Sequence, residues 1–206
     1  MPHNATPSRI TAVCFDAFGT LISVEGKRLN PYRHLFSTSS ESSALRLSIL
    51  TRNVSPDVLA GELGLEAVLP IMRQELGEEL SALRCFPEVD EVMDALRRDG
   101  MRIGVCSNLA QAYGPHVREL VPGLDAYILS YEHGVAKPDP AIYAHVCKAL
   151  DRQPQEVLFI GDSRRCDFHG PRAFGMQSCW LDRRSGMTLW DALSRMESSS
   201  EHPTPK

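Results

Sequence analysis

The stretch TAVCFDAFGTL, residues 11–21, joins an apolar run to a carboxylate and a glycine within a few residues. Its first part, Thr11 to Phe15, is rich in apolar side chains and does not alternate with polar ones, which is typical of a strand covered on both faces of a parallel sheet. Asp16 follows directly, and Gly19 permits a tight turn just beyond it. The stretch therefore predicts a buried strand with a carboxylate at its carboxyl end.

Further apolar runs follow along the chain, separated by amphipathic segments of helical period. Four of these runs are predicted to be strands: Met101 to Cys106, Ala126 to Ser130, Val157 to Gly161 and Ser178 to Leu181. Three segments with one apolar face are predicted to be helices: Pro87 to Arg98, Pro140 to Leu150 and Thr188 to Met196. The alternation of strands and helices predicts an α/β fold, doubly wound around a parallel sheet.

One stretch interrupts this alternation, because no strand run is found from about Ser23 to Phe86. Three segments within it have a helical pattern instead: Leu45 to Leu50, Val58 to Leu65 and Leu76 to Leu83. We therefore expect residues 1–22 and 87–196 to form the core. Residues 23–86 are expected to form a small, all-helical cap inserted after the first strand, at the end of the sheet where open α/β folds bind ligands.

Composition excludes several classes of protein. The chain has 206 residues, of which 43% are hydrophobic and 23% charged, as expected of a folded globular protein. The net charge of -4 and the scattered basic residues predict no binding to nucleic acid. No apolar run approaches the length that spans a membrane, and the first ten residues lack a hydrophobic signal segment, so we expect a cytoplasmic protein. The Ser- and Pro-rich residues 197–206 are expected to be a disordered tail, and nothing predicts the oligomeric state.

Polar side chains follow four of the predicted strands, in the order of the chain. Asp16 follows the first strand, Ser107 and Asn108 follow the second, Lys137 comes after the third, and Gly161 to Asp167 follow the fourth. Each feature alone has an ordinary explanation, such as a turn, a helix cap or a solvated lysine. Since independent accidents would rarely place all four at successive strand ends, we predict that they meet in one cleft.

These motifs, taken together, resemble those of the haloacid dehalogenase-like hydrolase superfamily, and the likeness extends from Thr11 to about Leu193. The resemblance implies a Rossmann-like core with a mobile helical cap. It also implies that Asp16 is the nucleophile and that Ser107 hydrogen-bonds the transferred group. Lys137 would offset negative charge around the nucleophile, while Asp162 and Asp167 would hold Mg²⁺ or orient the lysine.

The chemistry of these residue types agrees with such a site. Mg²⁺ prefers oxygen ligands and retains waters, so we predict that Asp16, Asp162 and the backbone carbonyl of Phe18 suffice to hold it. Ser107 and Asn108 are predicted to bind the substrate by donating hydrogen bonds to developing oxyanion charge. Thr20 is expected to play a supporting role, as is the second acid of the fourth motif.

Phe18 departs from the pattern of the superfamily's phosphatases, which carry there a second Asp that protonates the leaving alkoxide. A phenyl ring cannot transfer a proton, a contribution that is typically worth about 10²–10⁴-fold. The first motif instead resembles that of the 2-haloacid dehalogenases, whose halide product needs no proton, and Tyr143 resembles a dehalogenase position too. Asp162 indicates the opposite, because a carboxylate facing Asp16 without a cation between them would be repelled.

We therefore predict Mg²⁺-dependent hydrolysis of a small phosphorylated metabolite through an aspartyl-enzyme intermediate. Two alternatives remain: 2-haloacid dehalogenation, and a catalytically silent protein that keeps the fold for binding. Four residues near the start of the cap are candidates for recognising an anionic substrate, although a solvated helix face is the favoured explanation for any one of them: Arg28, Tyr32, Arg33 and His34.

Overall fold

The structure is a computed structural model that describes residues 9–36 and 42–200. Its strands, in chain order, are β1 Ala12–Phe15, β2 Ile22–Val24, β3 Leu83–Cys85, β4 Arg102–Ser107, β5 Ala126–Leu129, β6 Val157–Gly161 and β7 Gln177–Trp180. Five of them form a parallel sheet in the order β5-β4-β1-β6-β7. The central strand is β1, which brings Asp16 to the middle of the sheet's carboxyl edge.

Helices cover both faces of this sheet. The described α-helices, in chain order, are α1 Ser42–Thr51, α2 Pro56–Leu63, α3 Leu69–Ser81, α4 Val89–Arg98, α5 Gly114–Leu120, α6 Ser130–His133, α7 Pro140–Leu150, α8 Gly170–Phe174 and α9 Leu189–Ser200. Successive side chains of a strand point to opposite faces. Val13 and Phe15 accordingly join a buried cluster with α4, α5 and α9, whereas Ala12 and Cys14 join a second cluster with α7. The predicted doubly wound α/β fold is confirmed.

The insertion after β1 contains two strands that the sequence analysis did not predict. Strands β2 and β3 form an antiparallel ribbon, in which Ile22 is paired with Cys85 and Val24 with Leu83. The expectation of no strand between Ser23 and Phe86, and of an all-helical cap, is therefore wrong at the base of the insertion. Strands of three residues are too short to show a period, and these two pair only because the insertion returns to its starting point.

The three helices α1 to α3 enclose a small apolar cluster of their own. Its buried members are Tyr32, Leu35, Ile49, Leu59, Ala60, Met72 and Ala110. Ala110 belongs to the loop after β4, so this loop packs directly against the inserted helices. The division of the chain at residues 23 and 86 stays a prediction, and we keep the word cap for residues 23–86.

Helix α9 continues through Ser200, beyond its predicted end at Met196. The expectation of a disordered tail is therefore wrong for residues 197–200, because adding residues to an existing helix costs much less than starting one. Residues 201–206 lie outside the described part of the chain. Among the described helices, none combines the length and the apolar character needed to cross a membrane.

Candidate active site

The carboxylate of Asp16 lies at the centre of the carboxyl edge of the sheet and is largely buried. Its backbone N–H donates to the carbonyl of Ile160 at 2.9 Å, which continues the pairing of β1 with β6 beyond the strand end. Its Oδ1 atom accepts hydrogen bonds from Ser107 Oγ at 3.0 Å and from Lys137 Nζ at 2.8 Å. Both donors hold the same oxygen, so the carboxylate has a defined orientation.

Lys137 is the cation at the centre of the site. Its ammonium donates to Asp16 Oδ1 at 2.8 Å, to Asp167 Oδ1 at 2.6 Å and to the carbonyl of Cys106 at 2.8 Å. Burial by itself would lower the pKa of this lysine, but the charges of the two carboxylates outweigh burial and raise the pKa well above its usual value. Lys137 therefore stays protonated.

Asp167 holds the lysine from the opposite side. Its Oδ2 accepts the backbone N–H of Ser163 at 2.9 Å, so both of its oxygens already have donors. Burial raises its pKa to about 6, against the opposing effect of Lys137. The close approach of Asp167 requires a glycine at position 161, since a Cβ atom there would lie 2.4 Å from Asp167 Cγ. Asp167 therefore holds the ammonium group of Lys137 in the folded chain, and its supporting role in a reaction stays a prediction.

Asp162 lies on the exposed rim of the same site, directly after β6. Burial of its carboxyl group and the charge of Asp16 raise its pKa. Its Oδ2 lies against the backbone of Gly19, where an added Cβ atom would be 2.2 Å away. Gly19 also has a φ of 78°, a conformation that side-chain-bearing residues avoid. The glycine of the first motif therefore both makes the turn and leaves room for Asp162.

The carboxylates of Asp16, Asp162 and Asp167 each offer an oxygen atom within 4.8 Å of the others. Three carboxylates face one ammonium group, which leaves an excess of negative charge in a partly desolvated place. Asp167 is occupied by Lys137 and Ser163, whereas Asp16 and Asp162 have oxygens to spare. The donor set fits a hard divalent cation such as Mg²⁺, which these two aspartates would hold. Ligation by the Phe18 carbonyl stays a prediction.

Asn108 supports the site indirectly. Its amide nitrogen donates to the carbonyl of Lys137, and its amide oxygen accepts the N–H of Lys137, both at 2.8 Å. This pair of bonds fixes the backbone that carries the ammonium group, so the side chain positions Lys137, and substrate contact by Asn108 stays a prediction. Thr20 is fully buried, and within the described part of the chain its hydroxyl has no hydrogen-bond partner. The supporting role of Thr20 also stays a prediction.

A cavity of about 420 Å³ opens above these residues, between the sheet and the cap. The core contributes the predicted site residues that line it: Asp16, Phe18, Ser107, Asn108, Lys137, Asp162 and Asp167. The cap contributes cationic, aromatic and aliphatic side chains, among them Arg28, Tyr32, Phe36, Arg46, Ile49 and Leu50. The four groups expected to meet, at positions 16, 107, 137 and 162, therefore line a single cavity.

Glu79 on α3 and Tyr113 are among the lining residues of this cavity that were not predicted. Glu79 is buried, and its Oε2 accepts the backbone N–H groups of Leu29 and Asn30 at 2.9 and 2.8 Å, while Oε1 accepts the Tyr113 hydroxyl at 3.0 Å. It fastens the start of the cap to helix α3. The spacing of Met72, Leu76 and Glu79 placed this acid on the buried face of the helix, and that signal was available in the sequence.

Aromatic side chains form the wall next to Asp16. The rings of Phe18 and Tyr113 form an edge-to-face contact, with their centroids 5.5 Å apart. The guanidinium carbon of Arg28 lies 5.8 Å from the Phe18 centroid, while that arginine is 4.0 Å from Glu79 Oε1. Burial and the nearby Glu79 raise the pKa of Tyr113, so its hydroxyl stays protonated.

Three other candidates lie away from the cavity. Arg33 and His34 pair with Glu75 on α3, the latter pair at 2.9 Å. Tyr143 is fully buried below the site, where its hydroxyl donates to the carbonyl of Cys166 at 2.6 Å. None of the three lines the cavity, so the geometry does not support a contact between any of them and a substrate.

Comparison with known proteins shows which family the chain resembles. A family model described as haloacid dehalogenase-like hydrolase matches residues 10–175. The human haloacid dehalogenase-like hydrolase domain-containing protein 3 is 32% identical over 156 residues, which are 71% of this chain and 59% of that protein. The (S)-2-haloacid dehalogenase 1 of Pseudomonas sp. strain CBS-3 is 26% identical over 196 residues, 84% of this chain and 85% of that protein.

Other relatives include a phosphoglycolate phosphatase and a phosphoserine phosphatase. The chain spans between 41% and 59% of the length of several curated relatives that it matches. Among solved structures, a haloacid dehalogenase family enzyme from Bacteroides thetaiotaomicron, in complex with magnesium and inorganic phosphate, has a TM-score of 0.63 at 19% identity. The match covers 84% of this chain and 94% of that one, and shows a shared fold.

Proposed function

This chain belongs to the haloacid dehalogenase-like hydrolase family, and we propose that it hydrolyses a small phosphorylated metabolite with the help of Mg²⁺ and the nucleophile Asp16. Family membership agrees with the resemblance of the motifs and makes the chain a hydrolase of this kind. Phosphatases and dehalogenases both occur among its relatives, so the choice between the two reactions depends on the side chains of the site.

One observation carries the choice of a metal-dependent phosphatase, namely the carboxylate of Asp162 beside Asp16. The two groups belong to a cluster of three carboxylates around a single lysine. Burial and the negative charge of Asp16 raise the pKa of Asp162, and a cation between the two groups would offset that charge. A divalent cation would balance the excess of negative charge, and the phosphoryl group would then meet a neutral rather than an anionic site.

The first chemical step uses the oxygen of Asp16 that is not held by other residues. Ser107 and Lys137 both donate to Oδ1, which leaves Oδ2 as the atom that attacks phosphorus. The bond from Oδ2 to phosphorus forms while the bond from phosphorus to the leaving oxygen breaks, and the product is an acyl phosphate on Asp16. Bound Mg²⁺ would supply charge compensation for the phosphoryl oxygens.

The second step is hydrolysis of that acyl phosphate by water, which regenerates the carboxylate and releases phosphate. Phe18 supplies neither an acid for the leaving oxygen nor a base for the water. We propose that the leaving group therefore takes its proton from solvent or departs as a stable anion. Esters of acidic alcohols, enols or carboxylic acids should accordingly be better substrates than esters of simple alcohols.

A specific observation also supports a second candidate, 2-haloacid dehalogenation. Phe18 and Tyr113 place aromatic rings beside the nucleophile, and halide needs no proton to leave. In that reaction Asp16 would form an ester with the substrate carbon, and the cationic wall of the cap would face the substrate carboxylate. The third hypothesis is a binding protein without turnover. The presence of Asp16, Lys137 and Asp162 in one cavity does not support it.

Release of phosphate or of halide from substrates by the purified protein distinguishes the three hypotheses. Phosphate release should be measured on a panel of small phosphate esters with Mg²⁺ and with EDTA, beside halide release from 2-haloacids under both conditions. We expect phosphate release that EDTA abolishes. Halide release that is unaffected by EDTA would establish dehalogenation instead.

Two variants serve as controls for this experiment. Asp16→Asn should fold normally and release neither anion, because an amide is not a nucleophile. Asp162→Asn should abolish Mg²⁺-dependent phosphate release, because it removes a ligand of the metal. It should leave halide release unchanged. Failure of the wild-type protein to release either anion across the whole panel would favour the binding protein.

A further inference from the structure

A second cavity, of about 370 Å³, lies beside the edge strand β7 and shares no lining residue with the first cavity. The π-helical turn Arg164–His169, strand β7 and helices α8 and α9 line it. The turn contributes Arg164, Phe168 and His169. Strand β7 contributes Trp180 among others, and α8 and α9 contribute one arginine each. Residues from three separate parts of the chain thus converge there.

The wall of this cavity is strongly cationic. Arg164, Arg172, Arg195 and His169 line it, and no Asp or Glu is among the described residues that do so. This composition is unexpected in a chain whose net charge is -4. The cavity is therefore a local concentration of positive charge rather than a sample of the average surface.

Aromatic rings hold two of the arginines in place. The guanidinium carbon of Arg164 lies 3.9 Å from the centroid of the Trp180 ring, and that of Arg172 lies 4.0 Å from the centroid of the Phe168 ring. Arg172 also donates from Nε to Ser178 Oγ at 3.1 Å and from Nη2 to the Ser178 carbonyl at 3.3 Å. Cation–π contacts position a guanidinium without neutralising it, so these charges remain available to a ligand.

We propose that this cavity binds a compact multivalent oxyanion of the diphosphate or polyphosphate class. Guanidinium groups match phosphate oxygens with paired hydrogen bonds, and pre-ordered guanidiniums lose little freedom on binding. Three arginines around one cavity also favour an anion of several charges over a singly charged one. The proposal concerns binding and stands independently of the reaction assigned to Asp16.

The fluorescence of a tryptophan in this cavity can report on ligand binding. Trp180 lies in its wall, and the chain has only one other tryptophan, Trp190, so Trp190→Phe leaves Trp180 as the single tryptophan, which can be excited selectively over tyrosine. Trp180 Nε1 also donates to the backbone carbonyl of Asp162 at 2.8 Å, which connects the reporter to the first cavity. The experiment therefore needs a variant of the first cavity as a control.

Inorganic pyrophosphate, added to the full chain in EDTA, is the probe. In the Trp190→Phe background we expect a saturable change in Trp180 fluorescence, and no such change with acetate at equal ionic strength. Arg164→Gln should weaken pyrophosphate binding by about tenfold or more, since it removes charge-assisted hydrogen bonds. Arg165→Gln is the matched control, because this exposed neighbour has the same charge and does not line the cavity, and its affinity should stay within about twofold of the parent.

Three results would overturn the proposal. One is the absence of a saturable signal at millimolar pyrophosphate, and another is equal weakening by Arg164→Gln and Arg165→Gln. The third is loss of the signal in Ser107→Ala, which would assign it to the first cavity. Circular dichroism establishes that each variant is folded, and should Arg164→Gln fail to fold, Arg195→Gln takes its place with the same expected loss.

Discussion

Replacement of Gly19 by alanine tests how tightly the first motif is fitted to Asp162. Alanine at a φ of 78° strains the backbone by about 1 kcal/mol. The new Cβ atom would also lie 2.2 Å from Asp162 Oδ2, whereas real Cβ contacts are essentially never shorter than 3.0 Å. The carboxylate must therefore move by at least about 0.8 Å, and a displacement of about 1 Å in a reacting group costs on the order of 10²-fold in rate.

Stability and metal binding should respond differently to this change. Asp162 is on the rim of the cavity and can turn toward solvent, so we expect the free energy of unfolding to fall by only about 1 kcal/mol, from the backbone strain. Mg²⁺-dependent phosphate release should instead fall on the order of 10²-fold, and Mg²⁺ affinity should fall with it. Urea unfolding and calorimetric titration with Mg²⁺ measure the two quantities separately.

Gly26→Ala is the matched control for Gly19→Ala. Gly26 has a φ of 79° and has no atom within 4 Å of an added Cβ, so it carries the same strain without the contact. Its free energy of unfolding should fall by a similar amount while Mg²⁺ binding is unchanged. In an Asp162→Ala background, Gly19→Ala should have no further effect on Mg²⁺ binding. Undiminished Mg²⁺ binding by Gly19→Ala alone would refute the reasoning.

Three further substitutions test the buried network by urea unfolding. Lys137→Met leaves Asp16 and Asp167 without their cation and should lower the free energy of unfolding by about 3–5 kcal/mol; a loss below about 1 kcal/mol would contradict a charged cluster. Glu79→Ala deprives two backbone N–H groups and a hydroxyl of their acceptor, and should lower the free energy of unfolding by about 3 kcal/mol. Its control is Glu78→Ala at an exposed position, which should change the free energy of unfolding by less than about 0.5 kcal/mol. Tyr143→Phe removes the bond to Cys166 and should cost about 0.5–1.5 kcal/mol without changing turnover; lost turnover would place Tyr143 in the mechanism.

The chemistry next to Asp16 has a consequence for the natural substrate. Because Phe18 lines the cavity where a proton donor would be useful, the rate of the first step should depend steeply on the acidity of the leaving group. The cap wall presents Arg28 and Arg46 beside aromatic and aliphatic side chains. An anionic substrate with a partly apolar body would match that wall, and the phosphate ester panel should include such compounds.

The core of the fold follows from local sequence patterns. Each of the five strands of the sheet lies within one residue of its predicted bounds, because buried strands of a parallel sheet are continuous apolar runs. The positions of Asp16, Ser107, Lys137 and Asp162 at one edge follow from the same patterns, since each residue comes after a strand and all the strands run in one direction. Family resemblance added their expected roles.

Other features required contacts between distant parts of the chain. The ribbon of β2 and β3 is too short for its strands to show a hydrophobic period in the sequence. The sequence predicted Asn108 as a substrate contact, whereas in the structure its amide binds the backbone of Lys137. Tyr143 has the spacing of a site residue, yet its ring lies in the core because its helix turns that face toward the sheet. Sequence spacing gives the order of residues but not the direction of their side chains.

The sequence by itself determined the parallel sheet and the identity of the groups at its carboxyl edge, because buried strands are encoded in apolar runs of a few residues. The tertiary structure alone decided which oxygen of Asp16 is held, that Asp167 is committed to Lys137, and that Glu79 fastens the cap. Those outcomes depend on distances of about 3 Å between residues far apart in the chain, at which hydrogen bonds and charge repulsion act and which local patterns do not contain.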